Sequence, residues 1–197
     1  MIAYYLSHPQ VSIDPAVPVP QWSLSAHGRQ RLNAVLTKSW LKTVRRIVSS
    51  EERKALETAA PLAAALDLQV ERRAEMGEND RSATGYLEPA QFEAAADAFF
   101  ADPARSWRGW ETAQAAQTRI VAAIEKALNE QAVDSPILFV GHGAVGSLLK
   151  CHIAGRPISR REDQPGGGGN LYAFDINGRK LHCDWTPLEV FDGAELG

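Results

Sequence analysis

Two histidines in this 197-residue chain each follow a short apolar segment, and this pairing suggests chemistry. His8 comes just after the run from Ile2 to Leu6, and His142 comes just after the run from Ile137 to Val140. Short, β-prone apolar runs that end at a turn residue are typical of buried strands in an α/β sheet. Because ligands of such sheets bind outside the carboxyl ends of parallel strands, we expect both imidazoles to face one substrate.

Two further strand ends bring charged groups to the same expected edge of the sheet. Ser49-Ser50, with Arg53 and Lys54, follows the second predicted strand, and Glu78 follows the third. Two imidazoles, a cation and a carboxylic acid form a set of groups that suits phosphoryl transfer. One histidine attacks phosphorus as a nucleophile, while the other histidine and the cation stabilise the equatorial oxygens. The acid then protonates the departing oxygen.

Strands that alternate with helices predict one α/β domain over residues 1–197, with a mainly parallel central sheet flanked by helices. Asn177-Gly178 predicts a hairpin that adds an antiparallel C-terminal edge. Ser49 and Glu52 have the spacing of a capping box, which predicts a helix start behind Ser49. Gly166–Gly169 is expected to form a flexible loop at the rim of the site. The predicted strands are residues 2–6, 44–48, 68–72, 137–140, 171–176 and 180–185, and helices are expected up to residues 40 and 66 and over 89–100, 111–130 and 144–153.

The composition excludes several classes of protein. With 21 basic and 24 acidic residues the formal charge is -3, so no basic field indicates nucleic acid or an anionic membrane as a partner. The two cysteines, Cys151 and Cys183, imply no disulfide framework and fit a reducing cytoplasm. No apolar run approaches the roughly 18 residues of a membrane span, and no signal peptide is expected.

A literal G-x-G-x-x-G runs from Gly141 to Gly146, after a strand and at the start of a helix. A dinucleotide site would need further strand–helix–strand units and an acid that binds the ribose, but only about 50 residues follow, interrupted by a glycine-rich loop. We therefore set this interpretation aside. The free N–H groups and dipole of the helix N-terminus remain a plausible anion site.

Five segments carry a resemblance to a known family: Ser7-His8-Pro9, Ser50 to Ala59, Met76-Gly77-Glu78, Gly109 to Thr112 with Arg119 beyond it, and Val140 to Leu149. In order and spacing they resemble the histidine phosphatase superfamily, the phosphoglycerate mutase-like proteins. The resemblance implies a phosphomonoester hydrolase that acts through a phosphohistidine at His8. It implies that His142 and either Lys54 or Arg53 hold the phosphoryl group, that Glu78 donates the proton, and that no metal or organic cofactor is needed.

The departures from that family concern its phosphate clamp. Ser7 and Pro9 stand where the family has the arginine and glycine of Arg-His-Gly, and Lys54 stands at its second arginine. At the phosphate-binding position, Ser7 offers one neutral hydrogen bond in place of a charged fork. Losing a charge-assisted bond is worth roughly 1.5–3 kcal/mol, so we expect a slow phosphatase. Arg53 and Arg81 are candidates to replace the missing cation.

Two rival interpretations remain open. Ser7 and Pro9 favour a non-catalytic family member that binds a phosphorylated ligand or a protein through the same pocket. A metal-dependent hydrolase that uses His8, His142 and Glu78 is a more remote alternative. Mutase activity fits poorly, because a mutase must retain and re-donate its phosphate. On the principal interpretation the partner is a small phosphorylated molecule or a phosphoprotein.

Overall fold

The structure is a computed structural model that describes residues 1–130, 135–177 and 180–193. Its strands are β1 (Ile2–Ser7), β2 (Arg46–Ser50), β3 (Val70–Arg73), β4 (Ile137–Gly141), β5 (Asn170–Asp175), β6 (Lys180–Leu181) and β7 (Thr186–Pro187). Its α-helices are α1 (Ala26–Leu36), α2 (Arg53–Leu66), α3 (Pro89–Ala101), α4 (Ala113–Asn129) and α5 (Gly143–Ile153).

All seven strands join one sheet in the order β3-β2-β4-β1-β5-β6, with β7 paired to β5. The strands β1 to β4 run parallel, and β5 runs antiparallel to β1. The predicted α/β fold, with its mainly parallel sheet and antiparallel C-terminal edge, is therefore confirmed. Because β1 to β4 are parallel, their carboxyl ends meet at one edge of the sheet.

The sheet separates two apolar layers, as alternation along its strands requires. On one face Tyr5 and Phe139 pack against the apolar stripes of α3, α4 and α5. On the other face Leu6 and Val140 pack against α1 and α2. Both faces are covered, so the inner strands are buried almost throughout. None of the described helices is long and apolar enough to cross a membrane.

The start of α2 differs from the prediction. The capping box is wrong, because Ser49 and Ser50 continue β2, where they pair with β3. Ladder hydrogen bonds to a neighbouring strand thus replace the expected cap. Glu52 is itself the N-cap residue of α2, and its side chain makes no capping bond. This frees the Glu52 carboxylate for other contacts.

The C-terminal hairpin is confirmed by the antiparallel pairing of β5 with β6. Part of its predicted turn, Gly178, lies outside the described residues. The last strand is shorter than expected, because the chain bends after Leu181 and returns as β7. There Thr186 and Pro187 pair with the start of β5, on the edge of the sheet where a residue without an N–H group is tolerated.

Candidate active site

The ends of the four parallel strands bring the predicted site residues together. His8 follows β1, Ser50 ends β2, and His142 follows β4. The rings of His8 and His142 lie edge to face, with centroids 5.3 Å apart and planes at 72°. Glu78 reaches the same edge from the loop after β3 and accepts hydrogen bonds at the start of α5. The expected convergence of two imidazoles and a carboxyl group is therefore what the fold produces.

His8 is held so that one ring nitrogen is free. Its Nδ1 lies 2.8 Å from the carbonyl oxygen of Pro9, an acceptor, so Nδ1 carries the proton and Nε2 keeps its lone pair. Burial, helped by the charge of Lys54, lowers the pKa of His8 to about 4. The imidazole is therefore neutral near pH 7. A neutral ring with an available Nε2 is the form a nucleophile needs.

The backbone of His8 is fixed by the glycine-rich segment. The N–H of Gly169 donates to the His8 carbonyl oxygen at 2.9 Å. Gly168 passes so close, at a φ of +61°, that a Cβ there would lie 2.3 Å from the same oxygen. Arg31 donates to the carbonyl oxygens of Gly168 and Gly169 at 2.9 and 3.3 Å. The segment does form the rim of the site, but these bonds anchor the loop that was expected to be flexible.

His142 is completely buried at the N-cap of α5. Its Nε2 lies 2.8 Å from Ser50 Oγ, which also accepts the backbone N–H of Glu52. The Ser50 hydroxyl can donate to Nε2 or accept from it, so this contact fits either tautomer of the neutral ring. The Nδ1 of His142 has no hydrogen-bond partner among the described residues. Burial lowers the pKa of His142 well below its ordinary value, so this ring is also neutral.

Glu52 is a site residue that the sequence analysis missed. Its carboxylate pairs with the buried Lys54 ammonium, accepts the N–H of Glu78 at 2.7 Å, and lies 3.6 Å from His142 Nε2. Burial opposes ionisation, but the charge and hydrogen bond of Lys54, together with the N–H of Glu78, hold the pKa of Glu52 below its ordinary value. Lys54, the predicted clamp cation, also donates to the Val19 carbonyl oxygen at 3.0 Å. Its charge is thus compensated inside the protein.

The Glu78 carboxyl group occupies the N-terminus of α5, where the sequence predicts an anion site. Its carboxyl oxygens accept the N–H groups of Val145 at 3.1 Å and Ala144 at 3.3 Å. The donors expected to bind an external anion therefore bind this side chain. Burial raises the pKa of Glu78, although the charge of Arg81 opposes the shift. A raised carboxyl pKa at this position favours the protonated form that a general acid requires.

Two of the predicted phosphate-binding residues do not reach the two histidines. Ser7 is fully buried, and its hydroxyl donates to Gln164 Oε1 at 2.5 Å, with Asn170 also in contact. Gln164 lies in front of Ser7 and also against Gly143, where a Cβ would contact it at 2.1 Å. Arg53 is 61% exposed and pairs with Glu57 one turn further along α2. Neither side chain lines the cavity beside His8.

Arg81, the other candidate for the missing cation, does line the cavity beside His8. Its guanidinium lies over the ring of Phe92, 4.9 Å from the centroid. It lines the cavity beside His8 and Glu78, and its charge contributes to the lowered pKa of both histidines. Within the described ranges no carboxylate lies within ion-pair distance of it. By contrast, Arg119 pairs with Glu111 and donates hydrogen bonds to the carbonyl oxygens of the loop that carries Glu78.

A cavity of about 280 Å³ opens beside His8. Its floor includes His8, Glu78 and Gly143, one wall is the aromatic face of α3 with Trp110, and the other wall runs from Arg160 to the glycine-rich segment. Such a space admits a small organic phosphate. In the part of the chain that the structure describes, no cluster of three or more His, Cys, Asp or Glu side chains is arranged to hold a metal ion.

Two neutral imidazoles and a carboxyl group with a raised pKa thus lie together at the carboxyl edge of the parallel strands. The chain belongs to the histidine phosphatase superfamily (branch 1), whose family model matches residues 18–186. The matched residues begin beyond the Ser-His-Pro segment, so the departure at Ser7 and Pro9 lies outside them. No curated protein sequence matches the chain at a significant level.

Solved structures share the fold over nearly the whole chain. A mycobacterial glucosyl-3-phosphoglycerate phosphatase with inorganic phosphate is 20% identical, covers 96% of this chain and 99% of its own, and has a TM-score of 0.80. A putative alpha-ribazole-5'-P phosphatase from Escherichia coli is 20% identical over 97% and 99%, with a TM-score of 0.75. A phosphoserine phosphatase from Entamoeba histolytica, in complex with 3-phosphoglyceric acid, is 16% identical over 96% and 99%, with a TM-score of 0.74. At these identities the likeness establishes the phosphoglycerate mutase-like fold.

Proposed function

We propose that this protein hydrolyses a phosphomonoester through a phosphohistidine formed at His8. The observation that carries the proposal is the free Nε2 of a neutral His8, whose Nδ1 is held by Pro9 and whose ring lies 5.3 Å from that of His142. A nucleophile needs its lone pair available and its ring oriented, and the Pro9 carbonyl supplies both conditions. The partner on this proposal is a small phosphorylated molecule or a phosphoprotein.

The reaction has two steps. His8 Nε2 attacks phosphorus, the bond from phosphorus to the ester oxygen breaks, and protonated Glu78 gives its proton to that oxygen as the alcohol leaves. The Glu78 carboxylate then takes a proton from water, whose oxygen attacks phosphorus and releases inorganic phosphate and neutral His8. We assign to a phosphoryl oxygen His142 Nδ1, which has no hydrogen-bond partner among the described residues and belongs to the ring that lies against His8.

The cation that we assign to the phosphoryl group is Arg81. Lys54 is paired with Glu52, and Arg53 is paired with Glu57 at the surface. The Arg81 guanidinium has no carboxylate partner among the described residues, lines the cavity that holds His8, and stacks on Phe92. A planar guanidinium can bind two equatorial oxygens at once, as the missing arginine at position 7 would have done. With one free guanidinium in the place of several cations, turnover is expected to be slow.

The ion pair between Glu52 and Lys54 favours a second candidate, a non-catalytic member that binds a phosphorylated ligand. The Glu52 carboxylate, paired with Lys54 and 3.6 Å from His142 Nε2, competes with an incoming phosphate for the charge of Lys54. On that alternative the pocket binds phosphate esters without cleaving them. The two candidates differ in whether phosphate is released.

The test is release of phosphate from p-nitrophenyl phosphate by the wild type, His8→Ala and His27→Ala, with and without a chelator. His27 is exposed on α1 and serves as the matched control. The proposal expects chelator-independent turnover that His8→Ala abolishes and His27→Ala retains, and an acid-labile, base-stable phosphate on the wild type. Full activity in His8→Ala would eliminate the phosphohistidine mechanism. Binding without turnover in all three proteins would support the non-catalytic candidate.

A further inference from the structure

Beside the His8 cavity lies a second pocket whose lining is mainly apolar. It has a volume of about 260 Å³, and we call it the outer pocket; its apolar wall consists of Ile13, Val19, Trp22, Tyr86, Leu87 and Phe92. Arg81, Phe92 and Glu93 line both the outer pocket and the His8 cavity. The two spaces therefore adjoin at the guanidinium that we assign to the phosphoryl group.

The outer pocket leaves a large apolar side chain open to solvent. Ile13 is 56% exposed, and Val190, at 67%, is the other large apolar side chain so exposed within the described residues. Val190 lines neither of the two spaces. An exposed isoleucine is unremarkable alone, but one at the rim of an apolar pocket next to reactive groups is typical of a ligand site.

The segment that carries Ile13 is held in place. The Trp22 indole N–H contacts the carbonyl oxygens of Asp14 and Val17 at 2.9 and 3.0 Å. The N–H of Ser12 donates to the Ser23 carbonyl oxygen at 2.9 Å. The rings of Trp22 and Tyr86 lie 6.0 Å apart. The apolar wall is thus built into the fold, which lowers the entropy lost when a ligand binds.

The charges around both spaces disfavour a second anion on the substrate. Arg160, the other cation of the His8 cavity, pairs with Glu93 at 2.6 Å and with Asp163 at 3.4 Å. Glu93 lines both spaces, so a carboxylate on the leaving group would lie near an acidic side chain. With Arg81 bound to the phosphoryl group, the described lining offers no other unpaired cation.

We infer that the outer pocket receives the leaving group and that this group is an uncharged, apolar alcohol such as an aryl alcohol. The inference rests on the proposed function, because it places the phosphoryl group between His8 and Arg81. Because Arg81 and Phe92 line both spaces, the outer pocket adjoins the position of the ester oxygen. Contact of a flat ring with Phe92, Trp22 and Ile13 would remove apolar surface from water on both sides.

The experiment compares kcat/KM for 2-naphthyl phosphate and for 3-phosphoglycerate in the wild type, Ile13→Ser and Val190→Ser. We expect the wild type to prefer 2-naphthyl phosphate by about tenfold or more, because one substrate gains apolar contact and the other brings a carboxylate near Glu93. Ile13→Ser should reduce that preference by about three- to tenfold, since it removes part of the apolar wall. Val190→Ser, remote from both spaces, should leave it unchanged.

Equal or better turnover of 3-phosphoglycerate, abolished by His8→Ala, would overturn the inference and leave the proposed function standing. An equal loss of preference in Ile13→Ser and Val190→Ser would also overturn it. If no phosphate ester is turned over, the proposed function fails, and equilibrium binding of the same two esters decides the inference. Tighter binding of 2-naphthyl phosphate than of 3-phosphoglycerate, weakened in Ile13→Ser, supports the pocket assignment. Equal binding of the two esters, or unchanged binding in Ile13→Ser, refutes it.

Discussion

Replacing Glu52 with glutamine should strengthen phosphate binding while it weakens the fold. The carboxylate pairs with Lys54 and lies 3.6 Å from His142 Nε2. An anion against the His142 ring would lie roughly 6 Å from it, where two unit charges repel by about 2–3 kcal/mol at an effective dielectric constant near 20. Relaxation of the structure and screening by salt reduce this repulsion. We therefore expect inorganic phosphate to bind about tenfold more tightly to Glu52→Gln, a gain of about 1.4 kcal/mol in binding free energy.

The same substitution removes one partner of a buried ion pair. Breaking such a pair costs roughly 3–5 kcal/mol, and we expect the lower end, because Lys54 keeps its hydrogen bond to Val19. Since the pKa of Glu52 is depressed to about 2, its contribution is present above its unfolded pKa and is lost as pH falls toward 2. The stability difference between the variant and the wild type should therefore shrink in acid.

Calorimetric titration with inorganic phosphate and chemical denaturation measure the two effects. Glu57→Gln is the matched control, because Glu57 lies on the same helix and pairs with Arg29 and Arg53 at the surface. It should leave phosphate binding unchanged. Phosphate affinity that is equal or weaker in Glu52→Gln would show that the carboxylate does not compete for the site, and the account of an internally compensated pocket would be wrong.

Three further outcomes follow from the site. With the pKa of His8 lowered to about 4, the acidic limb of the kcat/KM profile should lie near pH 4, and an acidic decline that begins near pH 6.5 would contradict a buried neutral His8. Glu78→Gln should remove the basic limb of the kcat/KM profile and slow alkyl phosphates more than p-nitrophenyl phosphate, because a good leaving group needs less protonation; equal slowing of both substrates would argue against a general acid. Ser7→Arg alone should destabilise the protein, because Ser7 is fully buried behind Gln164. Ser7→Arg combined with Gln164→Ala should instead raise kcat/KM about tenfold. Thermal unfolding and kinetics of both variants test this, and a single variant that is stable and faster would show that the space beside Ser7 is already open.

The sequence predicts the strand ends of the site because each is marked locally. A short apolar run followed by a polar turn residue can be recognised without a structure, and His8 and His142 follow such runs. Glu78 follows a strand that contains Glu71 and Arg72, and its mark is the family-like segment Met76-Gly77-Glu78. Parallel pairing then brings them to one edge, whatever the loops between them do. The same local reasoning predicts α2 but misplaces its start, because a serine at the end of a strand has the same pattern as a serine that caps a helix.

The remaining parts of the site depend on contacts between distant segments, and no local pattern marks them. Ser7 meets Gln164 across 157 positions, and Arg31 meets the glycine-rich segment across more than 130. Glu52 has the sequence spacing of a capping residue. Only its ion pair with the buried Lys54 shows that its carboxylate lies at the site. Its position between the strand end at Ser50 and the cation Lys54 is the one available signal.

The central place of β1 has a consequence for how the protein comes to be folded. During synthesis β1 emerges before its partners β4 and β5, whose registers join Ala3 to Ile137 and Tyr5 to Tyr172. Contacts so distant along the chain are closed late and slowly. His8, at the end of β1, therefore stays beside an unpaired apolar strand until β4 and β5 have been synthesised. Shielding of that strand, by a chaperone or by rapid collapse, is then a condition for correct folding.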